Sequence, residues 1–318
     1  MEIITILIII CGIFVGWTIG TNDAANCMGT AVGAGLTTYR KAVWIVASMT
    51  LLGAVISGKA VAKTMGKGIV DASAIPLLSI LAVLIAAGLY VTLMTFLSLP
   101  VSTSQAMMGG IAGIGIILSV NVKWFTLSKI FLLGFVTPVL ALIFSYILYK
   151  LYARIVALKP FLFIEKFLGW AVLLSGAFLA YSMGANNLGN SMGLVTGSNI
   201  LGMFSACVIG GIAMGFGSVT LGIRVMKTIS TRITELSAHG AFAAQAGSAI
   251  SIYILTVFGV PTSTSFGIVG GIAGVGLVKG IGALQKDTLK RILAGWVMTP
   301  IATGILAIIV FKILDAFI

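Results

Sequence analysis

One acidic residue, Asp23, stands inside the first long apolar stretch of the chain. Asn22 precedes it and Asn26 follows it, and no Lys or Arg lies within a helical turn of it. Burying an unpaired carboxylate in apolar surroundings is costly, so we expect this group to bind a cation or a proton. Hard cations prefer oxygen ligands such as carboxylates and amide carbonyls. Asn22 and Asp23 are therefore predicted to bind a cation such as Na⁺, with capping of a helix by Asp23 as the simpler alternative.

Two hydroxyl-rich triplets each follow a proline, in PVSTS at 100–104 and in PTSTS at 261–265. Proline suits the first turn of a helix, where free backbone N–H groups and the positive end of the helix dipole favour anions. A single triplet would be interpreted as ordinary N-capping. A repeated pair inside apolar sequence favours two helix starts that surround one tetrahedral oxyanion. The hydroxyl residues predicted to bind it are Ser102, Thr103, Ser104, Ser263, Thr264 and Ser265.

These motifs belong to an internal repeat. GTNDAANCMG at 20–29 returns as GANNLGNSMG at 184–193, and the two proline motifs recur in the same order at nearly the same offset. The second copy therefore supplies amide side chains at the positions of the first. The predicted anion site also includes Asp23, Asn26, Asn187 and Asn190, and the predicted cation site also includes Asn186.

The motifs are polar and rich in glycine, yet their surroundings are strongly apolar. Irregular backbone at membrane depth persists only where it is buried in protein or lines a cavity, and paired breaks in two halves point to a transporter's binding site. The sequence thus predicts an all-α polytopic membrane protein built from two inverted-topology repeats, residues 1–158 and 159–318. Broken or re-entrant helices are expected to meet near the bilayer midplane. The predicted breaks are residues 20–26, 100–104, 184–190 and 261–265.

Composition supports the membrane assignment. Hydrophobic residues make up 59% of the chain and charged residues 8%, and the mean hydropathy is +1.19. Such a chain lacks the polar surface of a soluble protein, and its apolar stretches reach the roughly 20 residues that a bilayer requires. The net charge of +12 does not indicate a nucleic-acid partner, because the basic residues fall mainly in short segments between apolar spans, where they set topology. A multi-pass protein of the cell membrane is expected.

Enzymatic function has little support in the sequence. His239 is the only histidine, the three cysteines are isolated, and no zinc-protease or phosphate-loop motif occurs. We expect no catalytic residues and no cofactor. A passive anion channel would need weak binding sites along a continuous pore. Two convergent sites and one Asp favour alternating access instead.

The four motifs, in this order, resemble those of the inorganic phosphate transporter family, which includes sulfate permeases. The similarity covers essentially the whole chain: a GxND motif near the start, its partner near the middle, and two P(V/T)STS motifs that each open a glycine-rich helix. The resemblance implies uptake of phosphate or sulfate coupled to Na⁺ or H⁺. In the family the Asn-Asp pair, here Asn22 and Asp23, belongs to the ion and anion site. Carriers of this kind often pack as dimers, so a homodimer is one expected assembly.

The chain departs from the family pattern at two places. The second repeat usually has its own Asn-Asp pair, where this chain has Asn186 and Asn187, and His usually follows each triplet, where this chain has Gln105 and Phe266. Loss of the second carboxylate leaves open the number of cations per cycle. An amide can donate where a carboxylate only accepts, which suits sulfate, an ion without a proton to give. Phosphate remains the expected substrate and sulfate the alternative, because Asp23 can still accept the phosphate proton.

Overall fold

The fold is described by a computed structural model that covers residues 2–97, 101–156, 161–223, 226, 236–279 and 286–317. Within these ranges the regular secondary structure is helical, and no strand occurs. Eight helices in the same ranges are long and apolar enough to cross a membrane. The prediction of an all-α polytopic membrane protein is confirmed.

The order of helices repeats between the two halves. The first half contains α1 (Glu2–Gly33), α2 (Tyr39–Ser57), α3 (Lys59–Lys63), a π-helix (Thr64–Gly68), α4 (Leu77–Phe96), α5 (Thr103–Leu118) and α6 (Trp124–Val156). The described part of the second half contains α7 (Phe161–Gly197), α8 (Met203–Thr220), α9 (Ala238–Val257), α10 (Thr264–Lys279) and α11 (Lys286–Phe317). Helices α5 and α10 have 16 residues each. At 1.5 Å per residue they extend about 24 Å, less than the roughly 30 Å hydrocarbon core of a bilayer.

The first helices of the two halves, α1 and α7, pack against each other in opposite directions. A Cβ atom on Gly12, early in α1, would contact Val195 near the end of α7. A Cβ atom on Gly176, in the first half of α7, would contact the carbonyl of Cys27 near the end of α1. Because these equivalent helices are antiparallel, the pseudo-two-fold axis that relates the halves lies in the membrane plane. This is the inverted topology that the repeat predicts.

The short helix of each half packs on the last helix of the other half. Helix α5 lies along α11, and α10 lies along α6. Gly109 of α5 faces the carbonyl of Pro300, and Gly270 of α10 faces the carbonyl of Pro138, so closely that a Cβ atom at either glycine would overlap the backbone. Small residues allow this approach between helices in lipid. Each of these short helices is therefore held in place by the opposite repeat.

The predicted breaks at residues 20–26 and 184–190 are wrong, because α1 and α7 run unbroken through both motifs. The glycines that open these motifs serve close packing. A Cβ atom on Gly20 would overlap the carbonyl of Met214 in α8, and one on Gly184 would overlap that of Thr50 in α2. A glycine inside a helix costs about 1 kcal/mol relative to Ala, and closer helix packing offsets this cost. The polar side chains of the motifs find partners on neighbouring helices instead.

The other two breaks are confirmed. Helix α4 ends at Phe96 and α5 begins at Thr103, while α9 ends at Val257 and α10 begins at Thr264. Pro261 lies in the non-helical segment before α10, whereas Pro100 lies outside the described residues. In the described ranges, the short helices that begin inside the protein thus come from the two proline motifs alone.

The predicted boundary between residues 158 and 159 also lies outside the described residues, which omit 157–160. Helix α6 extends to Val156 and α7 starts at Phe161. The division into 1–158 and 159–318 therefore remains a proposal.

Candidate functional site

Each short helix begins at a serine that caps it. The Ser102 hydroxyl accepts a hydrogen bond from the backbone N–H of Gln105 (3.2 Å), and the Ser263 hydroxyl accepts one from that of Phe266 (3.3 Å). A cap satisfies one amide, while the first amides of each helix still have no intrahelical carbonyl partner. The two helix starts therefore present backbone donors and the positive ends of two helix dipoles, the arrangement that binds anions.

A second pair of serines joins the two helix starts. The Ser104 hydroxyl donates to the carbonyl of Thr262 (2.6 Å), and the Ser265 hydroxyl donates to the carbonyl of Val101 (3.3 Å). The two donors occupy equivalent positions of the repeated motif, and so do the two acceptors. These two bonds are therefore related by the pseudo-two-fold axis. The starts of α5 and α10 meet, as the anion-site prediction requires.

Two asparagines of the long helices hold these serines from the side. Asn26 of α1 donates from Nδ2 to Ser265 Oγ (3.0 Å), and Asn190 of α7 donates from Nδ2 to Ser104 Oγ (2.8 Å). Both amide side chains are buried. Each long helix is thus bonded to the short helix that starts beside it, through the amide group of an asparagine.

Asp23 and Asn187, which are equivalent in the repeat, face each other at the centre. Asn187 Nδ2 donates to one carboxylate oxygen of Asp23 (3.0 Å) and to Thr264 Oγ1 (3.2 Å), while Asn26 Nδ2 donates to the other carboxylate oxygen (2.8 Å). Asn190 in turn donates to Asn187 Oδ1 (2.7 Å). Asp23 is 3% exposed and is the only buried acidic or basic side chain in the described residues. The centre of the site therefore carries a single carboxylate inside a network of amide donors.

The two remaining candidates for the cation, Asn22 and Asn186, bind segments that lead into the short helices. Asn22 Nδ2 donates to Thr95 Oγ1 (2.9 Å), and the equivalent Asn186 Nδ2 donates to Thr256 Oγ1 (2.8 Å). Asn186 Oδ1 also accepts the backbone N–H of Thr262 (2.8 Å). The bond to Thr262 holds the chain just before α10, and the bonds to Thr95 and Thr256 hold the last turns of α4 and α9. The role of both residues as cation ligands stays a prediction.

Some residues of the network were not predicted from the sequence. The hydroxyl groups of Thr137 in α6 and Thr262 hydrogen-bond to each other, so the last helix of one half supports the helix start of the other. Thr95 and Thr256 were also missed, although the offset between them equals that between the two proline motifs. That shared offset is the signal in the sequence that identifies them as a pair.

Two groups of the site keep unused hydrogen-bonding capacity. Asn190 Oδ1 is buried and has no hydrogen-bond partner among the described residues. The hydroxyl of Thr103 makes none of the hydrogen bonds of the network given above, whereas its equivalent, Thr264, accepts one from Asn187. An acceptor and a hydroxyl donor thus remain for a ligand.

The predicted anion-binding residues are therefore brought together, each in a defined position. The donors are backbone N–H groups, hydroxyl groups and amides, and the only charge among them is the carboxylate of Asp23. Such a set can bind a small oxyanion through hydrogen bonds and a hard cation through oxygen atoms.

Comparisons with known proteins cover nearly the whole chain. The model of the phosphate transporter family matches twice, at residues 19–163 and 163–307. A protein of Methanocaldococcus jannaschii named "Putative phosphate permease" is 32% identical over 316 residues, 99% of both chains, and one of Pyrococcus furiosus with a similar name is 29% identical, with 98% and 96% covered. A solved structure named "The sodium-dependent phosphate transporter" superposes with a TM-score of 0.91 at 25% identity, covering 99% of this chain and 100% of that one. The chain belongs to the phosphate transporter family, a family of membrane transporters and not of enzymes.

Proposed function

We propose that this protein is a symporter that imports inorganic phosphate, with Na⁺ as the driving cation. The proposal rests on one observation: two helix starts, related by the pseudo-two-fold axis, interlock beside the carboxylate of Asp23, the one buried acidic side chain in the part of the chain that the structure describes. The name of the solved relative, a sodium-dependent phosphate transporter, supports the choice of cation.

Binding of phosphate would exchange internal hydrogen bonds for bonds to the anion. Ser104 and Ser265 now donate to carbonyls across the axis, and both hydroxyls can rotate toward a ligand between the helices. The first amides of α5 and α10 and the Thr103 hydroxyl add donors. A tetrahedral dianion leaving water needs many donors at once, and two opposed helix starts supply them without a buried Lys or Arg.

Coupling follows from the charge of Asp23. An ionised carboxylate repels a neighbouring phosphate, by about 4 kcal/mol for two unit charges 4 Å apart at an effective dielectric constant of about 20. A Na⁺ ion bound to Asp23 would cancel this repulsion. Each ligand then favours binding of the other, which is the thermodynamic requirement for cotransport.

Occlusion of the site is consistent with a carrier. The side chains that form it are at most 4% exposed, including Asp23, Asn26 and Ser263. A channel needs a continuous path with weak binding along it. A carrier closes its site to both sides during the cycle, and an in-plane two-fold axis provides two equivalent ways to open it.

Phosphate is the preferred substrate over sulfate because the site contains hydrogen-bond acceptors. Hydrogen phosphate carries a proton that needs an acceptor, and sulfate does not. Asp23 offers carboxylate oxygens, and Asn190 Oδ1 is a buried acceptor without a partner in the described residues. Sulfate stays the second candidate, because Asn187 presents an amide donor where a second carboxylate would only accept.

Uptake into proteoliposomes tests the proposal. Labelled phosphate and labelled sulfate would be offered separately, with a Na⁺ gradient, with a pH gradient and with neither. We expect phosphate to accumulate against its gradient only when Na⁺ is higher outside. Accumulation driven by the pH gradient alone would show that the driving cation is H⁺ and not Na⁺. Accumulation of sulfate without accumulation of phosphate would refute phosphate as the substrate.

A further inference from the structure

Two buried polar side chains near the start of α5 have no hydrogen-bond partner among the described residues. Gln105 is 2% exposed, and both its amide nitrogen and its amide oxygen are unpaired. Trp296 of α11 is 4% exposed, and its indole N–H is unpaired. Buried polar groups are rarely left unpaired, because each costs about 1–3 kcal/mol. Neither residue takes part in the hydrogen-bond network around Asp23.

The register of the helices brings these two residues together. Along α5 and α11, Gly109 faces Pro300 and Gly113 faces Gly304, so the helices run parallel and advance in step. Extended by one turn, this register pairs position 105 with position 296, so the two side chains are inferred to be neighbours. The equivalent helices α10 and α6 are also parallel and in step, since Gly270 faces Pro138 and Gly274 faces Leu142.

In α10 and α6, Gly270 faces Pro138. One turn earlier Phe266 reaches Phe135, with ring centroids 6.0 Å apart. The ring of Trp296 also contacts that of Phe266, with centroids 3.6 Å apart and planes tilted by 30°, so the Trp296 side chain of α11 reaches the start of α10.

The two halves differ at this level of the molecule. On the α10 side, the space next to the helix start is filled by the rings of Phe266, Phe135 and Trp296. On the α5 side, the equivalent position carries Gln105, a side chain that donates and accepts. The ring of Trp296 takes part in this aromatic contact, while its indole N–H and the amide of Gln105 are left unpaired.

We infer that Gln105 and Trp296 form a second subsite for the transported oxyanion, occupied as the anion moves to or from the central site. The two residues offer three N–H donors and one carbonyl acceptor, a set rich in donors that matches an anion carrying one proton. Gln105 directly follows Ser104, so the subsite adjoins the central site. The positive end of the α5 dipole favours an anion there as well. The identity of the anion as phosphate rests on the function proposed above.

Exchange kinetics test the subsite. Purified full-length protein would be compared with Gln105→Leu and Trp296→Phe in phosphate-loaded proteoliposomes, by maximal exchange rate and by equilibrium phosphate binding. Each substitution removes donors that the anion meets only in transit. We expect the exchange rate to fall roughly tenfold or more in each variant, with the equilibrium dissociation constant changed less than twofold. Retained binding also shows that a variant is folded.

Trp17→Phe is the matched control, because the Trp17 indole N–H donates to Thr220 (2.9 Å) at an exposed position; its exchange rate should equal that of the wild type. Unchanged rates in both test variants would mean that the anion does not contact these side chains, and would overturn the inference. An equal loss in rate and in equilibrium binding would also overturn it, since the residues would then belong to the central site.

If Gln105→Leu does not fold, Trp296→Phe, which keeps an aromatic ring, still tests the inference. Exchange of sulfate without phosphate would refute the proposed substrate, and the same comparison with labelled sulfate would still decide the subsite.

Discussion

The two repeats agree in how they place hydrogen-bond donors and differ in where they place charge. Asn26 and Asn190 make equivalent bonds to Ser265 and Ser104. At the centre, however, the first repeat supplies a carboxylate from Asp23 and the second supplies an amide at the equivalent position. The scaffold that would open to either side is nearly symmetric, while the electrostatics of the site are not.

This difference explains how the centre is held together in the described structure. Two carboxylates in such close contact would repel each other unless a proton or a cation joined them. Here the N–H group of Asn187 takes that place and donates to Asp23 at 3.0 Å. One positive charge fewer is then needed to neutralise the core.

The largest expected effect tests whether the packing glycines play the same role in both halves. We expect Gly20→Ala and Gly184→Ala each to prevent accumulation of folded protein, because each Cβ atom would overlap a backbone carbonyl of a neighbouring helix. Overpacking typically costs about 1–3 kcal/mol and more where backbone must move. Yield and thermal unfolding of the purified variants measure the effect. Gly134→Ala is the control, since a Cβ atom there would meet no atom of another described helix within 4 Å. Survival of one of the first two variants would show that the halves pack differently.

Replacement of Asp23 tests the difference in charge between the two repeats. Asp23→Asn should abolish Na⁺-driven accumulation of phosphate, because a neutral amide attracts the cation too weakly to offset the loss of its hydration. Uptake into proteoliposomes with and without a Na⁺ gradient measures this. Asp71→Asn removes an exposed acid that is bonded to Ser73, and should leave uptake unchanged. Accumulation by Asp23→Asn with the same Na⁺ dependence would reduce Asp23 to a structural role.

The central threonines test whether equivalent positions contribute equally. Thr103→Val and Thr264→Val keep the shape of the side chain and delete a hydroxyl, and a charged ligand left short of one hydrogen bond loses about 1.5–3 kcal/mol, roughly 10- to 150-fold in affinity. We expect the greater loss for Thr264, which also bonds to Asn187. Equilibrium phosphate binding measures both. Thr30→Val, at a buried hydroxyl outside the site, is the control, and wild-type affinity in both test variants would reject the anion site.

Restoring the second carboxylate should have the smallest effect. Asn187→Asp replaces the amide donor by an acid next to Asp23, so the pair must gain a cation or a proton. We expect about one additional Na⁺ per phosphate, seen as a steeper dependence of uptake on Na⁺ concentration. A new dependence on pH would indicate a proton in its place. No change in either dependence would show that the charge difference between the repeats is without consequence.

Much of this organisation is predictable from the chain alone. Hydropathy sets the membrane class, and the nearly constant offset between the copied motifs identifies equivalent positions before any contact is known. The triplets at 102–104 and 263–265 do begin helices inside the protein. These features depend on local sequence and on its repetition.

Contacts between helices decided the rest. The glycines at 20 and 184 suggest a break when only their neighbours in sequence are considered, yet the reason for them is a carbonyl on another helix, at Met214 and at Thr50. The bond between Asn187 and Asp23 likewise joins residues far apart in the chain, and no local pattern specifies it. The sequence by itself determined the membrane class, the repeat and the chemical groups of the site, because these are properties of residue type and spacing. Only the tertiary structure decided which groups bond to each other and which stay free for a ligand, because that depends on how helices from opposite repeats pack.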